Sequence, residues 1–179
     1  MRLLGAVLAG GRSTRFGSDK ALALLDGKPL IQHAIDALAR QTDAVIVCGK
    51  AWGDWVPDRP EPDLGPLGGI NAALHEAAAR GFAAVLTAPC DAPRLPEDLA
   101  RLLGTGGMAS EMPVIGLWPG SLAEPLDAWL RRGENRSVRA WARAAGIAEI
   151  GLGAPLANIN RPGDLRKAQA ANGKEASWP

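Results

Sequence analysis

The sequence predicts an α/β fold with three layers, in which helices cover both faces of a mostly parallel central sheet. Short apolar runs of strand length alternate with segments whose apolar residues recur at helical spacing. The first run, Leu3 to Leu8, is apolar throughout, as expected for a central parallel strand covered on both faces. Three polar loops follow such strands, and ligands bind beyond the carboxyl ends of the strands in sheets of this kind.

The remaining elements are predicted from the same alternation. Further strands are predicted at Ala44 to Cys48, near Trp55 and Val56, at Ala83 to Ala88 and at Val114 to Trp118. Helices are predicted from Pro29 to Gln41, from Ile70 to Arg80, from Pro96 onward, around Trp129, around Trp141 and after Asn160. A glycine-rich connection is expected at Gly104 to Gly107.

Composition and charge exclude several classes of protein. Apolar residues make up 47% of the chain and the formal net charge is +1, so a nucleic acid is not expected as a partner. The apolar run at the start ends at Ala9, and no segment reaches the about 18 apolar residues of a membrane span. Cys48 and Cys90 form no CxxC motif, which suits a reducing cytoplasm. We therefore expect a cytoplasmic protein that does not contact a membrane.

The loop LAGGRSTRFGSDK, from Leu8 to Lys20, is glycine-rich and cationic. Its glycines, Gly10 and Gly11 among them, let main-chain N–H groups approach a ligand, while Arg15 and Lys20 add positive charge, so the loop suits a phosphate group. The spacing matches neither the Walker A motif nor the GxGxxG fingerprint. A solvated connection between strand and helix is the alternative.

Asp91 follows a predicted strand and lies between Pro89 and Pro93, whose restricted φ angles would hold its carboxylate in place. A fixed carboxylate at the ligand edge of a sheet is a ligand that Mg²⁺ uses together with phosphate oxygens. The alternative is an aspartate that only stabilises a turn.

Other polar residues have weaker signals. Asp58 could accept hydrogen bonds from a base or a ribose, or it could be a turn residue. Asn158 and Asn160 could support a metal site or could only precede the last helix. Arg136 belongs to an arginine-rich segment, and arginine suits bidentate phosphate contacts, although a solvated helix face is the commoner explanation.

Four segments in order resemble the molybdenum cofactor guanylyltransferases, within the nucleotidyltransferase group of Rossmann-like folds. They are LAGGRSTRFGSDK with the following LDGKPLIQHAIDAL, then DLGPLGG, APCDAPRLP and NINRPGDL. The resemblance covers nearly the whole chain. It implies a Mg²⁺-dependent enzyme that transfers GMP from GTP to the terminal phosphate of Mo-molybdopterin and releases pyrophosphate. Molybdenum cofactor insertion proteins and recipient molybdoenzymes are implied as further partners.

The resemblance also assigns roles to residues. It implies that Leu8, Ala9, Gly10, Gly11, Lys20, Asp58 and Asp91 contact the nucleotide, with Asp91 also binding Mg²⁺. Together with the chemistry above, it makes Lys20, Arg15 and Asp91 the catalytic candidates. Arg136 is the candidate for the phosphate of the acceptor.

Two positions bear on the choice of base. Family members often have an asparagine that touches the nucleotide where this chain has Cys48, whereas Gly10 resembles the guanylyltransferases rather than the related cytidylyltransferases. Cytidylyl transfer, nucleotidyl transfer to another phosphorylated small molecule and a non-catalytic nucleotide-binding or cofactor-delivery protein remain as alternatives.

The resemblance also suggests how the chain is organised. A single domain is expected over residues 1–170, with a nucleotide-binding part at about 1–103 and an acceptor-binding part at about 108–170. Residues 171–179 are expected to form a flexible tail.

Overall fold

A computed structural model of the chain describes residues 1–10, 19–133, 135–153, 156, 158–159 and 162–175. In this part of the chain, seven strands form one central sheet and two form a separate hairpin. The nine strands in chain order are β1 (Leu3–Leu8), β2 (Leu24–Leu25), β3 (Lys28–Pro29), β4 (Ala44–Cys48), β5 (Trp55–Val56), β6 (Ala84–Pro89), β7 (Gly107–Ala109), β8 (Gly116–Pro119) and β9 (Ala148–Ile150). The strand order in the large sheet is β5-β4-β1-β6-β8-β7-β9, and β2 pairs with β3.

Helices connect most of these strands. The described residues include α1 (Leu30–Ala39), α2 (Pro66–Ala79), α3 (Leu99–Leu102), α4 (Ala123–Arg131), α5 (Val138–Ala144) and α6 (Pro162–Glu175). Two short 3₁₀ helices, Lys20–Leu22 and Gly120–Leu122, precede β2 and α4.

The strand order reverses at β1, which lies between β4 and β6. All three strands are parallel, and the chain passes from β1 through α1 to β4, then through α2 to β6 on the other side of β1. Such a reversal opens a crevice at the carboxyl ends of the strands, where α/β proteins bind ligands. Among the described strands of the large sheet, only β8 runs against the others. The predicted mostly parallel sheet is therefore confirmed.

Apolar side chains of β1 alternate between the two faces of the sheet. Leu4 and Leu8 belong to a core shared with α2, α4 and α5, whereas Leu3 and Val7 belong to a second core shared with α1 and α3. A sheet with apolar cores on both faces explains why the strand reads as one continuous apolar run. The predicted three layers follow from these two cores.

Several element boundaries differ from the prediction. Helix α2 begins at Pro66 rather than at Ile70, because Gly65 has a φ of +69° and the proline then occupies the first helical turn. Helix α3 is confined to Leu99–Leu102, so the predicted helix from Pro96 begins later.

Four short strands were not predicted: β2 and β3, which form the hairpin, and β7 and β9 of the large sheet. The expected connection at Gly104 to Gly107 ends in β7, and β9 was missed entirely, because strands of three residues are too short to show a period. The last helix continues to Glu175, beyond the position where a tail was expected to begin. No helix among the described residues is both long and apolar enough to span a membrane.

Thr87 joins β6 to β8 by side-chain hydrogen bonds inside the sheet. Its hydroxyl accepts a bond from Trp118 Nε1 at 2.8 Å and donates to the carbonyl of Val114 at 2.7 Å, and the residue is fully buried. Thr87→Val keeps the shape of the side chain but leaves the N–H of the fully buried Trp118 and the carbonyl of Val114 without this partner. We expect the free energy of unfolding, measured by urea denaturation, to fall by about 1–3 kcal/mol.

Thr42→Val is the matched control. The Thr42 hydroxyl donates to Leu38 O at 2.9 Å, but it is only partly buried, so water can replace the lost contact. An equal loss of stability in both variants would contradict the expected role of the buried hydroxyl of Thr87.

Candidate active site

Three parallel strands end in register at one edge of the sheet. Leu8 at the end of β1 is paired with Cys48 of β4 and with Pro89 of β6. The next residues continue the pairing, since Ala9 N donates to Cys48 O at 3.0 Å and Cys90 N donates to Leu8 O at 3.1 Å. The loops that follow all three strands therefore start close together.

The loops after β1 and β4 touch without side chains between them. A Cβ on Gly49 would lie 2.7 Å from Gly10 Cα and 2.9 Å from Asp58 Oδ1, and Gly49 has a φ of +81°. A Cβ on Gly10 would lie 3.1 Å from Asp58 Oδ2. Glycine at both positions is therefore required for the carboxylate of Asp58 to lie against the backbone of both loops.

The start of α2 completes this pocket around Asp58. A Cβ on Gly68 would lie 3.3 Å from Asp58 Cβ, and one on Gly69 would lie 3.6 Å from Asp58 Oδ1. The carboxylate is thus surrounded by four glycines, which we call the glycine cradle: Gly10, Gly49, Gly68 and Gly69. Burial, and then the negative charge of Asp63, raises the pKa of Asp58.

Lys20, at the end of the cationic loop, and Asp91, in the turn after β6, form an ion pair. Lys20 Nζ donates to Asp91 Oδ2 at 2.5 Å, and the two side chains are only 12% and 19% exposed. Lys20 begins the short 3₁₀ helix, where the side chain of Asp19 accepts a hydrogen bond from Ala21 N at 3.2 Å. This ion pair brings the end of the cationic loop to the turn that follows β6.

Two buried oxygen atoms at this edge have no hydrogen-bond partner among the described residues. They are Asp91 Oδ1 and Asn158 Oδ1. Ile159 N donates to Asp91 O at 3.0 Å, so the segment containing Asn158 is held against the turn that contains Asp91. Buried oxygen atoms that accept no hydrogen bond suit a hard cation, which takes carboxylate and amide oxygens as ligands.

The oxygen atoms of Asp91 and Asn158 are of the kind that a hard divalent cation takes as ligands. Within the part of the chain that the structure describes, no group of three or more His, Cys, Asp or Glu side chains could hold a metal ion. Mg²⁺ usually takes one or two carboxylates from the protein and fills its other positions with water and phosphate oxygens. Asp91 and Asn158 supply oxygen atoms of the required kind.

Neither cysteine has the environment of a nucleophile. Cys48 is fully buried, and burial raises the pKa of its thiol. Burial also raises the pKa of Cys90 to about 12. The buried side chain of Cys48 belongs to the apolar core shared with α2, so the departure from the family asparagine leaves no polar side chain at this position.

The structure places some predicted site residues and not others. Leu8, Ala9, Gly10, Lys20, Asp58 and Asp91 all lie at or beside the carboxyl edge of the sheet. Gly11, Arg15 and Asn160 lie outside the described residues. Arg136 is exposed and its Nη1 donates to Asp63 O at 3.5 Å, so it lies beside the loop that precedes α2.

Gly49 is a site residue that was not predicted. Gly49 comes directly after the apolar strand β4, and Gly10 comes two residues after the end of β1. A glycine just after a parallel strand was the sequence signal that could have identified Gly49. Lys50, next along the chain, forms an ion pair with Asp19 and so links the loop after β4 to the cationic loop. The close approach of the two loops could not be foreseen from either segment alone.

Known proteins are similar to this chain in sequence over most of its length. Residues 5–151 match the family of MobA-like NTP transferase domains. A molybdenum cofactor guanylyltransferase of Cereibacter sphaeroides is 39% identical, and the alignment covers 98% of this chain and 100% of that one. Another, from Rhizobium leguminosarum bv. trifolii, is 37% identical over 93% of this chain and 91% of its own.

A solved structure shows the same fold at lower identity. Molybdopterin-guanine dinucleotide biosynthesis protein A from Archaeoglobus fulgidus superposes with a TM-score of 0.70 at 19% identity, covering 96% of this chain and 99% of that chain. The fold and the site define a nucleotidyltransferase with a MobA-like NTP transferase domain. Within that class, the chain belongs to the molybdenum cofactor guanylyltransferase family.

Proposed function

We propose that this enzyme transfers GMP from GTP to the terminal phosphate of Mo-molybdopterin, with Mg²⁺ as its cofactor. The products are the molybdopterin guanine dinucleotide cofactor and pyrophosphate. The observation that carries the proposal is the arrangement of the glycine cradle, which holds Asp58, at the same sheet edge as the Lys20–Asp91 ion pair. The names of the relatives support GTP and the pterin acceptor.

The glycine cradle and the backbone after β1 would bind the nucleoside. Main-chain N–H groups near Gly10 can approach a phosphate closely. When Asp58 is ionised, its carboxylate accepts hydrogen bonds and donates none. Its acceptor atoms suit the N–H groups of guanine or the hydroxyl groups of ribose. The cradle would thus orient the nucleoside while leaving the phosphates at the end of β1.

Transfer needs only one bond to form and one to break at phosphorus. An oxygen of the acceptor phosphate attacks the α-phosphorus of GTP, and the bond from that phosphorus to the bridging oxygen breaks as pyrophosphate leaves. No covalent enzyme intermediate is required. The enzyme would contribute positioning of the substrates and stabilisation of charge, which together account for most of the catalysis in reactions of this type.

Lys20 and Asp91 would provide most of this stabilisation among the described residues. Asp91, with Asn158, would hold Mg²⁺, which when bound neutralises charge on the phosphate oxygens. The ammonium group of Lys20 would stabilise the negative charge that develops on the leaving pyrophosphate. One such donor can lower the barrier by about 3–4 kcal/mol.

Cytidylyl transfer is the second candidate. The thiol of Cys48 is buried where family members often have a nucleotide-contacting asparagine, so one contact to the base is missing in this chain. We favour GTP nevertheless, because glycine at position 10 resembles the guanylyltransferases rather than the related cytidylyltransferases.

A panel of nucleotides tests the choice. We expect pyrophosphate release from GTP, and not from CTP, ATP or UTP, when Mo-molybdopterin and Mg²⁺ are both present. Release with CTP but not with GTP would overturn the assignment of the base. Release that is unchanged by removal of divalent metal would overturn the role of Mg²⁺.

The remaining predictions concern location and partners. We infer that the enzyme acts in the cytoplasm, where its thiols stay reduced, and passes its product to insertion proteins or molybdoenzymes. Arg136 remains the proposed contact for the acceptor phosphate. Its exposed guanidinium group can reach a ligand above the Asp63 loop.

Asp58 lowers the stability of the ligand-free enzyme at neutral pH. Because its pKa is raised, the folded protein holds this proton more tightly than the unfolded chain does. The stability given by the protonated carboxyl group is complete below the ordinary aspartate pKa of about 4 and is lost as the pH rises through the raised pKa. Asp58→Asn is expected to increase the free energy of unfolding near pH 7.5, by an amount that shrinks towards pH 4.

Asp54→Asn is the control with the opposite sign. Hydrogen bonds from Arg80 lower the pKa of Asp54, so its carboxylate stabilises the fold above the ordinary pKa and this stability is lost as the pH falls. Urea denaturation across this pH range measures both variants. A loss of stability at neutral pH in Asp58→Asn would contradict the expectation.

A further inference from the structure

A buried polar contact joins α2 to α4 behind the loop that carries Asp58. Asn71 on α2 is fully buried, and its Nδ2 donates to Asp127 Oδ1 on α4 at 3.0 Å. Asp127 is itself only 6% exposed. Buried polar groups of this kind are costly unless their hydrogen bonds are made, so the pair is strongly held in one arrangement.

Asp127 is held in its ionised form. Arg131 Nε donates to Asp127 Oδ2 at 2.6 Å, and this hydrogen bond, followed by the one from Asn71, keeps the pKa of Asp127 below its usual range. Two further nitrogen atoms face Asp127 Oδ1, the oxygen that accepts from Asn71. Arg59 Nε lies 3.7 Å from this oxygen and His75 Nε2 lies 3.8 Å from it. The carboxylate is therefore a fixed acceptor facing Asn71.

Asn71 also holds the backbone of Arg59, the residue that follows Asp58. Its Nδ2 donates to Arg59 O at 3.3 Å, while Arg59 N donates to Gly68 O at 3.1 Å. Both backbone polar groups of Arg59 are thus bound to α2. Arg59 N belongs to the peptide that joins it to Asp58, and Arg59 O belongs to the peptide that follows. The two contacts together restrict the backbone from which the Asp58 side chain extends.

The orientation of the Asn71 amide is set by Asp127. Asn71 Oδ1 is buried and has no hydrogen-bond partner among the described residues, so hydrogen bonding to its own oxygen does not fix the amide. With the amide reversed, Oδ1 would face both the carbonyl of Arg59 and the carboxylate of Asp127. The negative charge of Asp127 makes that arrangement unfavourable and keeps the amino group turned towards Arg59 O.

We propose that Asp127 is a positioning residue for the nucleotide, acting through Asn71 and the backbone of Arg59 to hold Asp58 in the glycine cradle. The inference rests on the proposed function, because it takes Asp58 as a contact of GTP. It adds a residue of α4, in the part of the chain expected to bind the acceptor, to the determinants of nucleotide affinity. Asp127 itself touches neither substrate.

Steady-state kinetics with the full-length enzyme test this chain of contacts. Asp127→Ala and Asn71→Ala each remove one side chain from this chain of contacts. We expect each variant to raise the KM for GTP about tenfold, with kcat and the KM for the acceptor changing less than about twofold. Asp127→Asn keeps an oxygen that can accept from Asn71 but removes the negative charge, so it is expected to recover only part of the affinity. Either alanine variant is sufficient if the other does not fold.

Asp36→Ala is the matched control. Asp36 is also a helix carboxylate that accepts a hydrogen bond from an amide, Gln32 Nε2 at 2.8 Å, and one from a cation, Lys28 Nζ at 2.7 Å. Its contacts do not reach the Asp58 loop, so the KM for GTP is expected to stay unchanged. All rates are divided by the folded fraction determined by circular dichroism.

A double-mutant cycle separates positioning from a structural role. If Asp127 acts through Asp58, then Asp127→Ala should change the KM for GTP little in the Asp58→Asn background. Additive effects in the cycle, or an unchanged KM in both alanine variants, would overturn the inference while leaving GMP transfer intact. Absence of GMP transfer by the parent enzyme would instead overturn the proposed function, and the inference with it.

Discussion

Asp91→Asn is expected to lower kcat for GMP transfer about 100- to 1,000-fold, a loss typical of removing one preorganised group that stabilises developing charge. Asparagine keeps the size and one oxygen of the side chain but removes the negative charge. The variant would therefore lose the charge that we propose to hold Mg²⁺ and the ion pair with Lys20 Nζ at 2.5 Å. Single-turnover measurements with GTP and acceptor at saturation would report the chemical step.

Asp36→Asn is the control for this variant. Asp36 also pairs with a lysine, Lys28 at 2.7 Å, but on α1 rather than at the carboxyl edge of the sheet. We expect its kcat to match that of the parent. A kcat for Asp91→Asn within about threefold of the parent, at the same Mg²⁺ concentration, would exclude a catalytic role for this carboxylate.

Gly49→Ala is expected to damage both the fold and nucleotide binding. The φ of +81° costs a residue with a Cβ about 1–2 kcal/mol, and the new Cβ would lie 2.7 Å from Gly10 Cα. Backbone cannot move aside as a flexible side chain can, so the loops after β1 and β4 must separate. We expect a loss of about 2–4 kcal/mol in the free energy of unfolding and at least tenfold weaker GTP binding by calorimetry.

Gly53→Ala is the control that separates the effect of the positive φ from the effect of the contact between Gly49 and Gly10. Gly53 also has a positive φ, +59°, and lies in the same loop, but nothing is within 4 Å of the position its Cβ would take. It is expected to lose about 1–2 kcal/mol of stability and to keep its affinity for GTP. Equal loss of affinity in both glycine variants would show that the contact between Gly49 and Gly10 is not what holds the site.

The parts of the fold with a strong local pattern were predicted well. The apolar run at Leu3–Leu8 and the run at Ala44–Cys48 are both strands with the predicted bounds, because a strand buried on both faces needs apolar residues without interruption. Strands β7 and β9 lack that signal, since each is short and is fixed by pairing with a distant neighbour.

Several single residues of the candidate site were predictable, but Gly49 and the arrangement of the site were not. Composition and position identified Lys20, Asp58 and Asp91 as polar residues near the ends of strands. That Asp58 lies against Gly10 and Gly49 depends on three segments meeting in space, and no period or motif within one segment encodes that contact. The same limit applies to Asp127, whose role emerges only where α4 packs on α2.

The Lys20–Asp91 ion pair has a consequence for how substrate enters. In the free enzyme each of these ions already has a counterion, and both are largely withdrawn from water, so the cost of dehydrating them is met during folding. Under the proposed function, arrival of a metal ion and a triphosphate would exchange one set of ionic partners for another, with little net change in hydration at either side chain. An enzyme built in this way is ready to bind before its substrate arrives, and its affinity should depend less on ionic strength than the charge of the ligand suggests.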